Sequence, residues 1–211
     1  MTESCHGESR KRSLVERYTI KPIGFYRLLN GQQKPGCCGT LTDRYYAFSA
    51  TAKYPTKSAT QDKEVSYFYV GLSCASQFLE LNPHPPLPLF DPLRANNNDH
   101  NNGNNGGREE FNNQVSPINR ELINAINLLL MAWNEIPNGF LGAILKYTKE
   151  NMERPNYNGV VWFNDVVRRD PTSRNFETIV RDLRANNDFR DFTFEEMHRH
   201  LNATGKTSNI R

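Results

Sequence analysis

Seven arginines lie between positions 168 and 199, a stretch that contains no lysine. The guanidinium group is planar and presents its N–H donors in a fixed fork, which suits phosphates, carboxylates and aromatic faces. Eight acidic residues between 165 and 196 nearly cancel this charge, so a salt-bridged helical surface explains the composition as well as phosphate binding does. The candidate nucleic-acid-binding residues are Arg168, Arg169, Arg174, Arg181, Arg184, Arg190 and Arg199.

A proline-rich tetrapeptide, formed by Pro85, Pro86, Leu87 and Pro88, is the candidate partner-binding motif. Proline fixes φ and lacks an N–H, so the segment is expected to be extended in the polyproline II form. It resembles the ligands of one class of WW domain, which bind to aromatic grooves. The alternative is a stiff spacer that leads into the polar segment after it.

The four cysteines do not have the spacing of a zinc finger, because Cys37 and Cys38 are adjacent. Cys5 falls in an expected tail, which leaves Cys74 as the one plausible bridging partner, and reduced thiols are expected. Cys37, Cys38 and Cys74 are also candidate nucleophiles beside His84, but sequence spacing does not test their proximity. The sequence therefore predicts no metal, no cofactor and no catalytic residue.

Two further patterns near the C-terminus were considered as chemical sites. Glu196 and His200 have the spacing to share a helix face, but His198 and His200 point roughly 200° apart on a helix. Gly205-Lys206-Thr207 resembles the end of a phosphate-binding loop, but His200 stands where the first glycine is required. A solvated helix end is the preferred interpretation of the histidines, and a phosphate-binding loop is rejected because the triplet follows a helix and not a strand.

Charge and hydropathy place the chain among intracellular proteins without a membrane segment. The longest apolar run, Leu128–Trp133, is far shorter than the ~20 residues that a spanning helix needs. The polar start, Met1–Arg12, does not have the pattern of a secretory signal. A net charge of +3 is too small to attract nucleic acid by itself. We expect a cytoplasmic or nuclear location.

The N-terminal half has the residue pattern of a small antiparallel sheet. Strands are predicted where Tyr, Phe, Val and Thr are concentrated between turn signals, at Tyr18–Ile20, Gly24–Leu29, Tyr45–Tyr54 and Glu64–Leu72. The nearly continuous apolar run Val65–Val70 predicts a central strand covered on both faces. A short helix is expected over Cys74–Leu81.

The C-terminal part has helical periodicity. Ser116 and Pro117 begin a helix, a second one ends near Arg154, and a third includes Phe176–Leu183. The segment Asn156–Arg169 fits a buried strand and a helix equally well. A last helix is predicted from a capping box formed by Thr193 and Glu196, with Gly205 as its C-terminal cap.

These elements predict an α+β protein with an N-terminal antiparallel sheet and about four C-terminal helices. The expected divisions are a flexible tail (1–16), a β-rich part (17–94), a disordered Asn/Gly-rich linker or loop (95–115), a helical part (116–205) and a tail (206–211). Two separate domains, and one joint core from which the Asn/Gly-rich segment loops out, are both consistent with the sequence.

Three functions remain as hypotheses from the sequence. The first is a non-enzymatic interaction protein, an adaptor or subunit of an assembly that is in the cytoplasm or the nucleus. The second is a nucleic-acid-binding protein in which Tyr157, Trp162 and Phe189 stack on bases beside the arginines. The third is an enzyme of unknown class. A protein partner is favoured over nucleic acid, and no membrane partner is expected.

Overall fold

The computed structural model describes residues 5–54, 65–93 and 115–211. The protein is α+β, as the sequence predicts, and its contacts divide it into two compact units, Met1–Asp91 and Pro92–Arg211. Asp91 pairs with Arg27 at 3.0 Å, whereas the carbonyl of Pro92 accepts a hydrogen bond from the N–H of Arg190. The unit boundary therefore precedes the Asn/Gly-rich segment, which lies outside the described residues except for Val115.

The N-terminal unit contains a three-stranded antiparallel sheet and a two-stranded ribbon. The elements of this unit are α1 (Glu8–Arg17), β1 (Tyr18–Arg27), β2 (Lys34–Gly36), β3 (Gly39–Leu41), β4 (Arg44–Ala52), β5 (Val65–Gly71) and α2 (Leu72–Leu81). The sheet has the strand order β1-β4-β5, and β2 pairs with β3 in the ribbon. The two strands predicted before Leu29 form the single strand β1, with a register shift between Pro22 and Gly24.

The core of this unit is aromatic. Phe48 on β4 lies 5.6 Å, between ring centroids, from both Phe68 on β5 and Phe78 on α2. Leu14 on α1 and Ile20 on β1 are fully buried in the same cluster. Burial of such side chains contributes roughly 1.5–3 kcal/mol each, so α1 and α2 are held to the sheet mainly by the hydrophobic effect.

Two predictions for this unit were wrong. The strand β5 is not central, because β4 occupies the middle of the sheet. Only alternate residues of β5, Phe68 and Val70, are buried, and Tyr67 and Tyr69 on either side of Phe68 keep part of their surface in solvent. The expected tail also contains the helix α1, whose few apolar residues give a weak periodic signal.

The C-terminal unit contains five helices in the described ranges, rather than about four. They are α3 (Pro117–Ala132), α4 (Gly139–Glu150), α5 (Tyr157–Val167), α6 (Phe176–Arg184) and α7 (Glu195–Ala203). The additional helix is α5, which covers the segment where strand and helix patterns overlapped. Across the described ranges, each helix is too short or too polar to cross a lipid bilayer.

A buried asparagine fixes the loop that joins α4 to α5. The side-chain amide of Asn119 on α3 donates to the carbonyls of Asn151, Met152 and Arg154 at 2.8–3.1 Å. Its carbonyl oxygen accepts a hydrogen bond of 2.8 Å from the N–H of Asn156. The amide thus satisfies buried backbone groups that would otherwise be costly to desolvate.

The last helix begins differently from the prediction. Phe194 is the N-cap residue, so the capping box of Thr193 and Glu196 was wrong. The carboxylate of Glu121 on α3 accepts hydrogen bonds from the N–H groups of Glu196 and Met197 at 3.2 and 2.9 Å. A distant side chain therefore satisfies the N–H groups that a local cap usually satisfies. Gly205, at φ +66°, follows the C-cap as predicted.

Candidate functional site

An aromatic groove lies in the C-terminal unit, where α3 ends, α4 begins and the α5–α6 loop passes by. Phe140 is 54% exposed and Trp162 is 46% exposed, and their ring centroids are 5.7 Å apart. Exposed apolar side chains that form a contiguous patch mark candidate interaction sites. The groove, of about 540 Å³, is lined by Trp133, Glu135, Asn138, Gly139, Phe140, Leu141, Val166, Arg169 and Pro171.

A buried carboxylate positions one wall of the aromatic groove. Asp170 accepts hydrogen bonds from Trp133 Nε1 at 2.9 Å and from the hydroxyl of Thr172 at 2.6 Å. It also pairs with Arg174 at 3.1 Å. Burial opposes ionisation, but the hydrogen bonds from Arg174, Thr172 and Trp133 outweigh it and hold the pKa of Asp170 well below its ordinary value. Asp170 thereby fixes Trp133 and the adjacent Arg169 and Pro171.

An arginine groove lies beside α6 in the same unit. Its lining includes Arg181, Arg184 and Arg211 together with Phe192 and Phe194. Two carboxylates, Glu177 and Glu195, also line it, and Glu195 pairs with Arg211 at 2.6 Å. Its volume is about 380 Å³. The groove therefore brings two of the predicted arginines, Arg181 and Arg184, next to aromatic rings.

The other predicted arginines are in separate places. Arg169 lines the aromatic groove, and Arg168 is exposed at the end of α5. Arg174 pairs with Asp170 and with Asp182, at 3.1 and 2.9 Å, so it has a structural role. Arg190 lies 5.8 Å from the ring centroid of Phe192, and Arg199 pairs with Glu196 at 2.6 Å. The seven arginines do not form one continuous surface.

The proline-rich tetrapeptide lies outside helix and strand in the N-terminal unit. Pro85, Pro86 and Pro88 are exposed, and Leu87 is half-buried. An exposed segment of this kind remains accessible to an aromatic groove of a partner, as the motif interpretation requires. Its role stays a prediction.

The four cysteines form a cluster that the sequence analysis did not anticipate. Cys5 is fully buried rather than part of a tail, and it forms a disulfide with Cys37. The Sγ atom of Cys38 lies 3.3 Å from that of Cys5 and 3.2 Å from that of Cys74. The expectations of reduced thiols and of Cys74 as the one plausible bridging partner were therefore wrong, because Cys5 packs in the hydrophobic core of this unit beside Cys37.

Three segments position the sulfurs. Cys5 precedes α1, Cys74 lies in the first turn of α2, and Cys37 and Cys38 form the turn between β2 and β3. Gly39 has φ +136°, which favours glycine and makes this tight turn feasible. The N–H of Cys37 donates to the carbonyl of Tyr69 at 2.8 Å, so β5 anchors the turn.

The environment of Cys38 favours its protonated form in this arrangement. Although Cys38 is an exposed residue, desolvation by the neighbouring groups raises the pKa of its thiol to about 11, the hydrogen bond and the charge of Cys74 act in the same direction, and Lys11 opposes them. His84, the predicted base for a cysteine nucleophile, has its Nε2 atom 3.2 Å from the side-chain nitrogen of Asn82.

The C-terminal histidines make local contacts. His198 contacts Ser208 and Asn202 at 3.2 and 3.0 Å. His200 stacks on Tyr157 with a centroid distance of 4.6 Å. The two rings thus have different neighbours, in agreement with their expected separation around the helix.

The comparisons with known proteins give one match. The profile of a family described as "Uncharacterised conserved protein UCP028583" matches residues 3–207. Comparison with curated proteins and with solved structures finds no significant match.

Proposed function

Because the chain belongs to this family of uncharacterised conserved proteins, we propose its function from its own residues: it is a non-enzymatic interaction protein, and its aromatic groove binds a protein partner. The observation that carries the proposal is the exposed ring of Phe140, which lines the groove and contacts the exposed ring of Trp162 outside the lining. Aromatic residues and arginine are enriched at the energetically dominant positions of protein interfaces.

The lining of the groove suggests the chemistry of the partner. Phe140, Leu141, Val166 and Pro171 supply an apolar floor and walls, with Trp133 at one side. Glu135 and Arg169 supply one charge of each sign to the lining. An apolar or aromatic side chain of the partner fills the centre, and polar groups around it pair with the two charges. This follows the usual division of an interface into an apolar core and a polar rim.

Four of the titratable groups with shifted pKa values have structural roles. Asp170 holds the groove wall, and Glu121 satisfies the start of α7. Burial raises the pKa of Tyr26 and of Tyr45, and their rings pack together in the N-terminal unit. Each of these four groups has a packing or hydrogen-bonding function that explains its shift without a reaction.

We expect Phe140→Ala in the full chain to weaken partner binding by tenfold or more, the loss of about 1.4 kcal/mol or more that a central aromatic side chain typically causes. The measurement is photo-crosslinking and pull-down from the native cell, followed by titration of the recovered partner. The matched control is Tyr147→Ala, which removes an equally exposed aromatic ring (55%) from the same helix but outside the groove. Equal binding by both variants would refute the proposal.

The arginine groove supports a second candidate function, the binding of single-stranded nucleic acid. Arg181 and Arg184 supply phosphate contacts, and Phe192 supplies a ring for stacking. We expect the double variant Arg181→Ala/Arg184→Ala to reduce the slope of log affinity against log salt by about 1.4, near 0.7 for each phosphate contact on a single strand. The control is Arg168→Ala, on α5. A wild-type dissociation constant above ~10⁻⁴ M at physiological salt would rule this function out.

A further inference from the structure

The cysteine cluster collects all four cysteines of the chain from three separate segments. Cys5, Cys38 and Cys74 have their sulfur atoms within 4.8 Å of one another, and Cys37 is bonded to Cys5. Cysteines that serve only to fill a core have no need to converge in this way. The cysteines come from the segment before α1, from the β2–β3 turn and from α2. Such a convergence is typical of the protein ligands of a metal ion.

We propose that, in the reduced protein, Cys5, Cys37, Cys38 and Cys74 bind one zinc ion as a structural tetrathiolate site. A tetrahedral zinc ion with Zn–S bonds of about 2.3 Å separates its sulfurs by about 3.8 Å. The Sγ atom of Cys38 lies 3.3 Å from that of Cys5 and 3.2 Å from that of Cys74, slightly closer than that value, and the three sulfurs lie within 4.8 Å of one another. Cys37 is outside this group of three, so its side chain joins the ligand set by rotating when its bond to Cys5 is reduced.

The donor set selects the class of metal. Thiolate ligands favour soft or borderline ions, and a tetrahedral set of four sulfurs is typical of zinc or of iron in iron–sulfur sites. The short sulfur separations suit a single ion rather than a multi-iron cluster, which holds its cysteines farther apart. Four protein ligands leave no open coordination position, so the zinc ion is structural rather than catalytic.

Three groups around the cluster oppose the desolvation of its sulfurs and favour thiolate charge. The N–H of Cys5 donates to the Sγ atom of Cys37 at 2.8 Å. Cys74 lies in the first turn of α2, where the helix dipole favours negative charge. Lys11 is buried, its Nζ donates to Gln77 at 2.8 Å, and its positive charge acts on Cys38. These groups offset part of the charge of a tetrathiolate.

Reduction precedes binding of the ion. Two equivalents of an intracellular thiol reductant exchange with the Cys5–Cys37 disulfide, which gives two cysteine thiols and the disulfide of the reductant. Zinc then replaces the four thiol protons, which pass to solvent, and the site carries two net negative charges. Since the ion ties α1, the β2–β3 turn and α2 together, its binding stabilises the N-terminal unit.

The first test measures metal in the full chain purified with a thiol reductant and without a chelator. We expect about one zinc ion per chain, and one cobalt ion after exchange, with the sulfur-to-cobalt absorption of a tetrathiolate. Iron in place of zinc, or no metal uptake by the reduced folded chain, would overturn the proposal. So would a Cys5–Cys37 disulfide that persists in the reductant.

Variants at the exposed ligand separate coordination from folding. Cys38→Ser should reduce the bound zinc to less than about a fifth of the wild-type amount, whereas Cys38→His should retain it, because imidazole is also a zinc ligand. Cys74→Ser should behave like Cys38→Ser. The matched control is Ser73→Ala, at an exposed neighbour of Cys74. Circular dichroism confirms folding, and equal zinc content in Cys38→Ser and Ser73→Ala would contradict the assignment.

Discussion

At the scale of single residues, a few buried polar side chains organise the C-terminal unit. Asp170 joins Trp133, Thr172 and Arg174, and so connects the end of α3 to the loop that leads into α6. A buried carboxylate is stable only when such donors replace its lost hydration. Because Trp133 also lines the aromatic groove, the geometry of the candidate site depends on this carboxylate.

We expect Asp170→Asn to lower the free energy of unfolding by about 3 kcal/mol, the usual result of breaking a buried ion pair. The folded-state pKa of Asp170 is depressed, so its stabilisation is fully present above the unfolded pKa of about 3.9 and is lost as the pH falls towards the folded value. Thermal unfolding between pH 7 and pH 2 should therefore be less acid-sensitive in the variant than in the wild type.

The control for this prediction is Asp182→Asn, which removes the other, half-exposed carboxylate that pairs with Arg174. An exposed ion pair contributes at most about 1 kcal/mol, so this variant should unfold almost as the wild type does. A loss as large as that of Asp170→Asn would mean that Arg174, rather than the buried carboxylate, is the essential partner.

At the scale of elements, long-range contacts take the place of local sequence signals at the start of α7 and in the α4–α5 loop. The helix α7 begins with N–H groups that donate to Glu121, a side chain 75 residues earlier in the sequence than the first of them. Asn119, two positions before Glu121, holds the α4–α5 loop. One turn of α3 thus organises two other parts of the helical unit.

We expect Glu121→Ala to destabilise the C-terminal unit by about 2 kcal/mol, because the buried N–H groups of Glu196 and Met197 lose their acceptor. Thr193→Ala, which removes the predicted but absent capping box, should change the free energy of unfolding by less than about 0.5 kcal/mol. Chemical denaturation of both variants measures the difference. A larger loss of unfolding free energy in Thr193→Ala than in Glu121→Ala would indicate that α7 is capped locally in solution.

At the scale of the whole molecule, each unit carries a different candidate function. The N-terminal unit contains the cysteine cluster, and the C-terminal unit contains the aromatic and arginine grooves. The unit boundary lies between Asp91 and Pro92, whereas composition placed the division in the Asn/Gly-rich segment after Ala95. Composition identifies a segment that cannot build a core, but contacts decide which residues belong to each unit.

The sequence by itself determined the α+β class, the main strands, and most of the helices. Periods of 2 and 3.6 residues and turn residues are local properties, so β4, β5, α3 and α6 follow from patterns such as Phe176–Leu183. The pattern failed where apolar residues are few, as in α1, or too continuous, as in α5. It also placed β5 in the centre of the sheet, because the hydrophobicity of a strand does not determine whether it has one neighbouring strand or two.

Only the tertiary structure decided where the candidate sites are. The cysteines at 5, 37, 38 and 74 meet because α1, the β2–β3 turn and α2 pack on one sheet, a relation that sequence spacing does not contain. One signal was available, because Cys37 and Cys38 are bracketed by Gly36 and Gly39, which favour a tight exposed turn. The aromatic groove likewise combines residues from two separate segments, 133–141 and 166–171, so its assembly depends on packing free energy rather than on any local motif.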